Sequence, residues 1–167
     1  FKPTRNVLHF FASIALFPHL VAGPIVRATD LLPQLLTWRK ISEKEQWSGF
    51  KLIVFGFFKK TVIADNLAPV VSQSFGASPL NPSAGHWWLV MTAFALQIYC
   101  DFSGYTDIAR GLARWMGYNF KLNFNHPYAA VSIRDFWSRW HISLSTWFRD
   151  YVYIPLGGAK KGPAKAI

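Results

Sequence analysis

The sequence holds one cysteine, Cys100, in 167 residues, and only 8 acidic residues against 18 basic ones. A single thiol excludes an internal disulfide and any cysteine-based metal cluster, so Cys100 reads as a buried structural thiol. Charge of either sign is scarce: charged residues make up 16%, where a soluble domain carries about a quarter. The 35 residues from Asn66 to Cys100 include none at all. The apolar N-terminal run does not read as a cleavable leader, because it is too long, has no small-residue cleavage site and contains its own Pro and His. The chain opens on Phe1 rather than Met and ends at Ile167 without an evident closing element. Residues 1–167 therefore read as part of a single domain, incomplete at both ends.

What is present is apolar and aromatic. Hydrophobic residues reach 51% and aromatic ones 17%, more than the core of a soluble domain this size requires. The formal charge of +10 fits either nucleic acid or anionic headgroups and cytoplasmic loops. The basic residues fall between apolar segments and no nucleic-acid module is recognisable, which favours the lipid bilayer and excludes nucleic acid as partner. The expected fold is all-α: a multi-pass transmembrane helical protein with kinked, re-entrant and interfacial amphipathic helices.

Along the chain, residues 6–26 form an uncharged run of 21 residues, the length that crosses a hydrocarbon core of ~30 Å. Pro18 and Pro24 break its second half, beside His19; His9 and His19 read as hydrogen-bonded interior residues. TDLLPQLL suggests a short amphipathic piece at an interface. The run Phe50–Phe58 is interrupted by Lys59 and Lys60, which are expected to snorkel to headgroups. Ser72–Gly85 reads as a loop. His86–Cys100 is the second span candidate, with Trp87 and Trp88 as an interfacial belt. Its helix either runs on through DFSGYTDIARGLARWMG or kinks near Ser103–Gly104, and Asp107, Arg110 and Arg114 have the spacing of an ion-pair ladder. Asp101 and Asp107 lie six apart, on different faces, which disfavours a shared metal. Both read as structural carboxylates partnered by Arg or Tyr. Tyr118–Tyr128 is loop-like.

Polar chemistry concentrates in Ser132–Gly158. A single helix over Ser132–Phe148 would align Arg134, Ser138, His141 and Ser145 on one stripe and Phe136, Trp140, Leu144 and Trp147 on another. Asp135 and Arg139 stand i,i+4 and can pair; Arg149 and Asp150 can pair with neighbouring elements, and YVYIPLGG ends the helix. A histidine with a near-neutral pKa is the natural base for deprotonating a hydroxyl. Ser143 and Ser145 are poor nucleophile candidates, with no G-x-S-x-G elbow around them.

FPHLVAGPIVR (17–27), DFSGYTDIARGLARWMGYNFKLNFNHPY (101–128) and IRDFWSRWHISLSTWFRDYVYIPLGG (133–158) together resemble the membrane-bound O-acyltransferases, in their alginate O-acetyltransferase branch. The D-alanyl transfer branch has a similar RDFW…RWH block. The resemblance implies a multi-pass protein of the bacterial inner membrane that moves an acyl group, acetyl above all, from a cytoplasmic donor across the membrane onto hydroxyls of an exported polysaccharide such as alginate. It implies an acyl-CoA or acyl carrier as co-substrate, no bound cofactor, no metal, and extracytoplasmic acetyl-transfer proteins as partners. Of two prominent family histidines, His141 matches the first; the second, in a downstream Trp-His motif to which the catalytic role is usually given, is not in this chain. His141 is thus the candidate catalytic residue, or the residue that orients the second histidine or the donor. Arg134, Ser138 and Ser145 are candidates for contacting a polar donor group, and Trp137 and Trp140 for lining an acyl path. The competing classes are a non-enzymatic transporter or channel subunit, with the broken first helix lining a permeation path, and a basic peripheral scaffold that high salt would extract.

Overall fold

The computed structural model describes residues 6–20, 23–76 and 83–158. Every regular element among them is helical: α1 (Val7–Ala15), α2 (Ala28–Leu36), α3 (Glu43–Phe57), α4 (Asp65–Gly76), α5 (Ala84–Trp115), α6 (Ile133–Arg139) and α7 (Ile142–Phe148). Seven π-helical residues, Phe58–Ala64, join α3 to α4, and five more, Arg149–Tyr153, follow α7. Short 3-10 turns lie at Phe17–His19 and Pro127–Ala129. The all-α expectation holds. Two compact units result, one of residues 20–23 and 39–119, the other of residues 1–19, 24–38 and 120–167.

In the first of these units, α3 begins with a reciprocal cap. Ser42 Oγ accepts from the Glu45 N–H at 3.3 Å, and the Glu45 carboxylate accepts from the Ser42 N–H at 3.0 Å, satisfying two donors that a helix start leaves open. Its packing against α5 is set by glycine. A Cβ on Gly56 would lie 2.6 Å from the Gly104 carbonyl oxygen, and one on Gly104 would lie 2.7 Å from that of Gly56. Gly49 and Gly111 repeat the arrangement one heptad away, at 2.8 and 2.6 Å. The crossed order of these partners makes the two helices antiparallel, and only residues without a side chain let the backbones come this close.

The π-helical turns place Lys59 against α5. Its Nζ donates to Asp107 Oδ2 at 2.5 Å and to Ser103 Oγ at 3.2 Å, and lies 4.9 Å from the Phe55 ring centroid. Lys59 is therefore buried rather than snorkelling; a paired ammonium loses less by leaving water than an unpaired one. Lys60 stays partly exposed and bridges Asp65 (2.8 Å) and Asp101 (2.6 Å). Both acids have structural partners as expected: Asp107 takes the expected arginine, Arg110, at 3.3 Å and also Lys59, while Asp101 takes a lysine, Lys60, instead. The expected ladder stops there, because Arg114 donates to Ser48 Oγ at 2.6 Å instead. Asn66 Nδ2 donates to the carbonyls of Thr61 and Val62 at 3.2 and 2.9 Å, serving acceptors within the π-helical segment.

Helix α5 runs through Ser103–Gly104 without a break for 32 residues. Cys100 is buried and free, in keeping with a structural thiol. The loop expected at Ser72–Gly85 is shorter, since Ser72–Gly76 completes α4 and α5 starts at Ala84; residues 77–82 lie outside the described ones. The first expected span is not one helix. α1 has 9 residues, about 14 Å at 1.5 Å per residue, and the chain turns at Pro18; Val21 and Ala22 lie outside the described residues. Among the described residues no helix is both long and apolar enough to cross a membrane. In α5 the second half carries Asp101, Asp107, Arg110 and Arg114.

Candidate functional site

The site belongs to the second unit, where a buried asparagine governs a break in the helix. Ser132 caps α6, its Oγ accepting from the Asp135 N–H at 3.1 Å, and Asp135 Oδ1 accepts from Arg139 Nε at 2.7 Å. This is the i,i+4 pair that the spacing predicts. The helix then stops. Trp140 is extended, and His141 takes a left-handed conformation, φ 44° and ψ 53°, before α7 starts at Ile142. The single helix expected over Ser132–Phe148 is therefore two, and the stripe through Arg134, Ser138, His141 and Ser145 does not exist.

The cause lies twenty residues upstream. The 123–125 strand of loop runs beside the break: the Asn125 N–H donates to the Arg139 carbonyl at 2.9 Å and the Ile142 N–H to the Asn123 carbonyl at 2.9 Å. Asn123 is 1% exposed, and its Oδ1 accepts from both the backbone N–H (3.1 Å) and the hydroxyl (2.9 Å) of Ser143. His141 contributes no side-chain cap to α7. Asn123 does that work from another segment, covering the first two N–H groups that the start of α7 leaves without intrahelical partners.

With the backbone bent in this way, the imidazole of His141 lies parallel to Phe124, ring centroids 6.4 Å apart and planes 15° apart. Trp140 meets Phe124 edge to face at 4.9 Å and stacks on Phe136 at 5.5 Å; Tyr128 flanks both. Partial burial in this aromatic setting lowers the His141 pKa below its ordinary 6.5, since an apolar surrounding disfavours the charged form. A neutral imidazole can accept a proton.

The other expected contact residues divide. Trp140 shares the aromatic cluster with His141. Trp137 packs edge to face on Phe136 at 5.5 Å and remains 55% exposed. Ser138 donates to the Asp135 carbonyl within its own helix at 2.7 Å. Ser145 reaches back across the break to the carbonyls of Trp137 and Trp140, both at 3.4 Å. Arg134 is exposed on α6. So Trp140 and Ser145 meet at the junction held by His141, while Arg134 and Ser138 stay on the outer part of α6. Asn123 was not among the expected site residues. Its one signal is an asparagine in a loop-like, Asn-rich segment, a residue type that caps helices.

Beyond the junction, Asp150 draws two cations together. Arg27 Nη2 lies 2.6 Å from its Oδ2, and Arg149 Nε lies 2.7 Å from its Oδ1. These two guanidinium groups hold its carboxyl down to about 2. Lys121 pairs with Asp30 at 2.7 Å.

The comparisons agree with these blocks. A family model described as the membrane-bound O-acyltransferase family matches residues 4–167. A probable alginate O-acetylase of Pseudomonas putida is 49% identical over 163 residues, which is 95% of this chain and 32% of that protein. A peptidoglycan O-acetyltransferase of Helicobacter pylori is 39% identical over 165 residues, 95% of this chain and 30% of its own. A teichoic acid D-alanyltransferase of Bacillus subtilis is 34% identical over 154 residues, 91% of this chain and 38% of its own. The chain spans about a third of the length of these curated relatives. Because the match takes in the bent His141 junction, the Asn123 loop that caps it and the α3–α5 pair alike, the chain belongs to the membrane-bound O-acyltransferase family.

Proposed function

We propose that this chain is part of an O-acyltransferase domain of the bacterial inner membrane. The domain takes an acyl group, acetyl above all, from an acyl-CoA or acyl carrier on the cytoplasmic side and delivers it across the membrane to hydroxyls of an exported polysaccharide such as alginate. Relatives whose names specify acetyl transfer to alginate or peptidoglycan and D-alanyl transfer to teichoic acid support that reading. A multi-pass arrangement is supported by the apolar surface left open on the helices: Leu8 at 77%, Phe11 at 61% and Leu89 at 75% exposure. Surfaces of that kind suit lipid or further protein better than water. Extracytoplasmic acetyl-transfer proteins would complete the route to the polymer.

The observation that carries the proposal is His141 at the junction, left-handed in backbone, stacked on Phe124 and with its pKa lowered by burial. In the reaction, an acceptor hydroxyl attacks the donor carbonyl, the C–S bond of the thioester breaks, and the hydroxyl proton passes through the base to the departing thiolate. His141 takes the role of proton acceptor in this reading. The test uses the full-length protein: His141→Ala, with membrane expression confirmed, and acetyl ester measured on the exported polymer. Loss of ester is expected; unchanged acetylation removes His141 from the mechanism. Acyl transfer by the purified full-length protein from a thioester donor separates the enzyme from a transporter or channel subunit, which would show none.

A further inference from the structure

The loop before α2, the segment after Phe120 and the turn that follows α7 enclose a cavity of about 170 Å³. Arg27, Lys121 and Arg149 line it, together with Asp30, Asp150 and Ser143. Three cations against two carboxylates leave a surplus of one positive charge. The cations come from three separate segments, so the fold gathers them rather than a local charge run.

Among the described residues, each cation commits only part of its donor set: Arg27 makes one contact to Asp150, Arg149 two to the same carboxylate (2.7 and 3.4 Å), and Lys121 one to Asp30. A guanidinium carries five N–H donors and an ammonium three. Arg27 is further oriented by the Tyr151 ring, 5.6 Å from its guanidinium carbon. The carboxylate of Asp150 thus holds two guanidinium forks in place without using up their donors.

We propose that this cavity is a binding subsite for a phosphate ester. A tetrahedral oxyanion offers oxygens in several directions, which suits cations arriving from three segments. Planar guanidinium forks match phosphate geometry in particular. The volume admits a phosphate group with its immediate ester carbon and is too small for a whole nucleotide. Asp150 is a resident competitor: an incoming phosphate shares or takes over its two arginines. The subsite shares Ser143 with the Asn123 cap, whose hydroxyl also accepts from the Ile25 N–H at 3.0 Å. Its occupant therefore lies next to the His141 junction. The assignment stands whatever role His141 has, and the phosphate can belong to a soluble ester or to a lipid headgroup.

The test is binding to purified full-length protein in detergent, by calorimetry at fixed ionic strength. The probes are inorganic phosphate, coenzyme A, and mixed micelles containing phosphatidylglycerol. Phosphate is expected to bind where chloride does not. Arg27→Gln and Lys121→Gln should each weaken it about tenfold, the usual scale for one charge-assisted contact. Asp150→Asn should tighten it several-fold by removing the competitor. Lys121, with 75% of its side chain exposed, is the variant least able to disturb folding. Displacement of phosphate by coenzyme A identifies a soluble ester as the occupant, and displacement by phosphatidylglycerol alone identifies a lipid. Phosphate binding no tighter than chloride, or affinity unchanged in Lys121→Gln and Asp150→Asn, overturns the proposal.

Discussion

Asn123 Oδ1 accepts two hydrogen bonds from one residue, the N–H of Ser143 at 3.1 Å and its hydroxyl at 2.9 Å, and so caps α7 from outside the helix. Removing the acceptor leaves a part-buried N–H and a hydroxyl without it, at a cost of ~1–3 kcal/mol. Asn123→Ala in the full-length protein should therefore lower Tm clearly. Ser143→Ala keeps the backbone N–H bond to Asn123 but removes the hydroxyl that donates to Asn123 and accepts from the Ile25 N–H, so it should lower Tm as well. The double variant should fall short of the sum of the two by the hydroxyl–Asn123 bond that both singles break. Additive losses would mean that the two residues act separately.

The α3–α5 contact predicts a contrast among glycines. An alanine at Gly56 or Gly104 would place its Cβ 2.6 or 2.7 Å from a backbone oxygen that cannot move aside alone. Each substitution should cost ~1–3 kcal/mol by forcing the helices apart. At Gly85, in the first turn of α5, the nearest atom is 3.8 Å away. Gly85→Ala should raise stability by ~0.5–1 kcal/mol through the ordinary helix preference for alanine over glycine. Thermal unfolding of the three variants checks the order; equal Tm values would contradict the close approach.

Lys59 and Asp107 have side chains only 10% and 14% exposed and a contact of 2.5 Å. Asp107→Asn removes the charge that compensates Lys59 and Arg110 together, and loss of one partner of a buried pair costs ~3–5 kcal/mol. The joint replacement Lys59→Met with Asp107→Leu removes the lysine charge along with its counter-ion and should recover a large part of that loss. Chemical unfolding of the single and double variants measures the difference. A double variant no better than Asp107→Asn would indicate that Lys59 is not the group that needs neutralising.

These relationships differ in how far the sequence reveals them. Helical character was legible because apolar positions recur at helical spacing through the second half of α5 and through α6, and the Asp135–Arg139 pair was legible because both partners share one helix. The glycine pairs also leave a trace, Gly49 and Gly56 on one helix and Gly104 and Gly111 on the other, each seven apart. The break at Trp140–His141 leaves none: neither residue is Gly or Pro, and the apolar pattern carries through it. What bends the chain there is Asn123, whose hydrogen bonds replace those a continuous helix would have made. Lys59 failed for the same reason. Hydropathy registers a charge in an apolar run and sends it to the surface, while its actual partner, Asp107, is 48 residues away.

The left-handed backbone of His141, φ 44°, separates its structural cost from its chemistry. An L-residue in this region is disfavoured by ~1–2 kcal/mol, whereas glycine is not. His141→Gly should therefore be at least as stable as His141→Ala, and both should lose acyl transfer; a stable His141→Gly protein with full transfer would show that the imidazole is dispensable. The pH dependence follows from burial, which lowers the folded pKa below 6.5. Between the folded value and 6.5 the unfolded chain binds more protons, so stability rises with pH across that window. The contribution is complete above pH 6.5 and declines as pH falls toward the folded pKa. Wild-type Tm should therefore drop on mild acidification below 6.5 by more than Tm of His141→Gly does, and the acid limb of transfer activity should lie below pH 6.5. Parallel Tm profiles for the two proteins would show that His141 is not the group titrating.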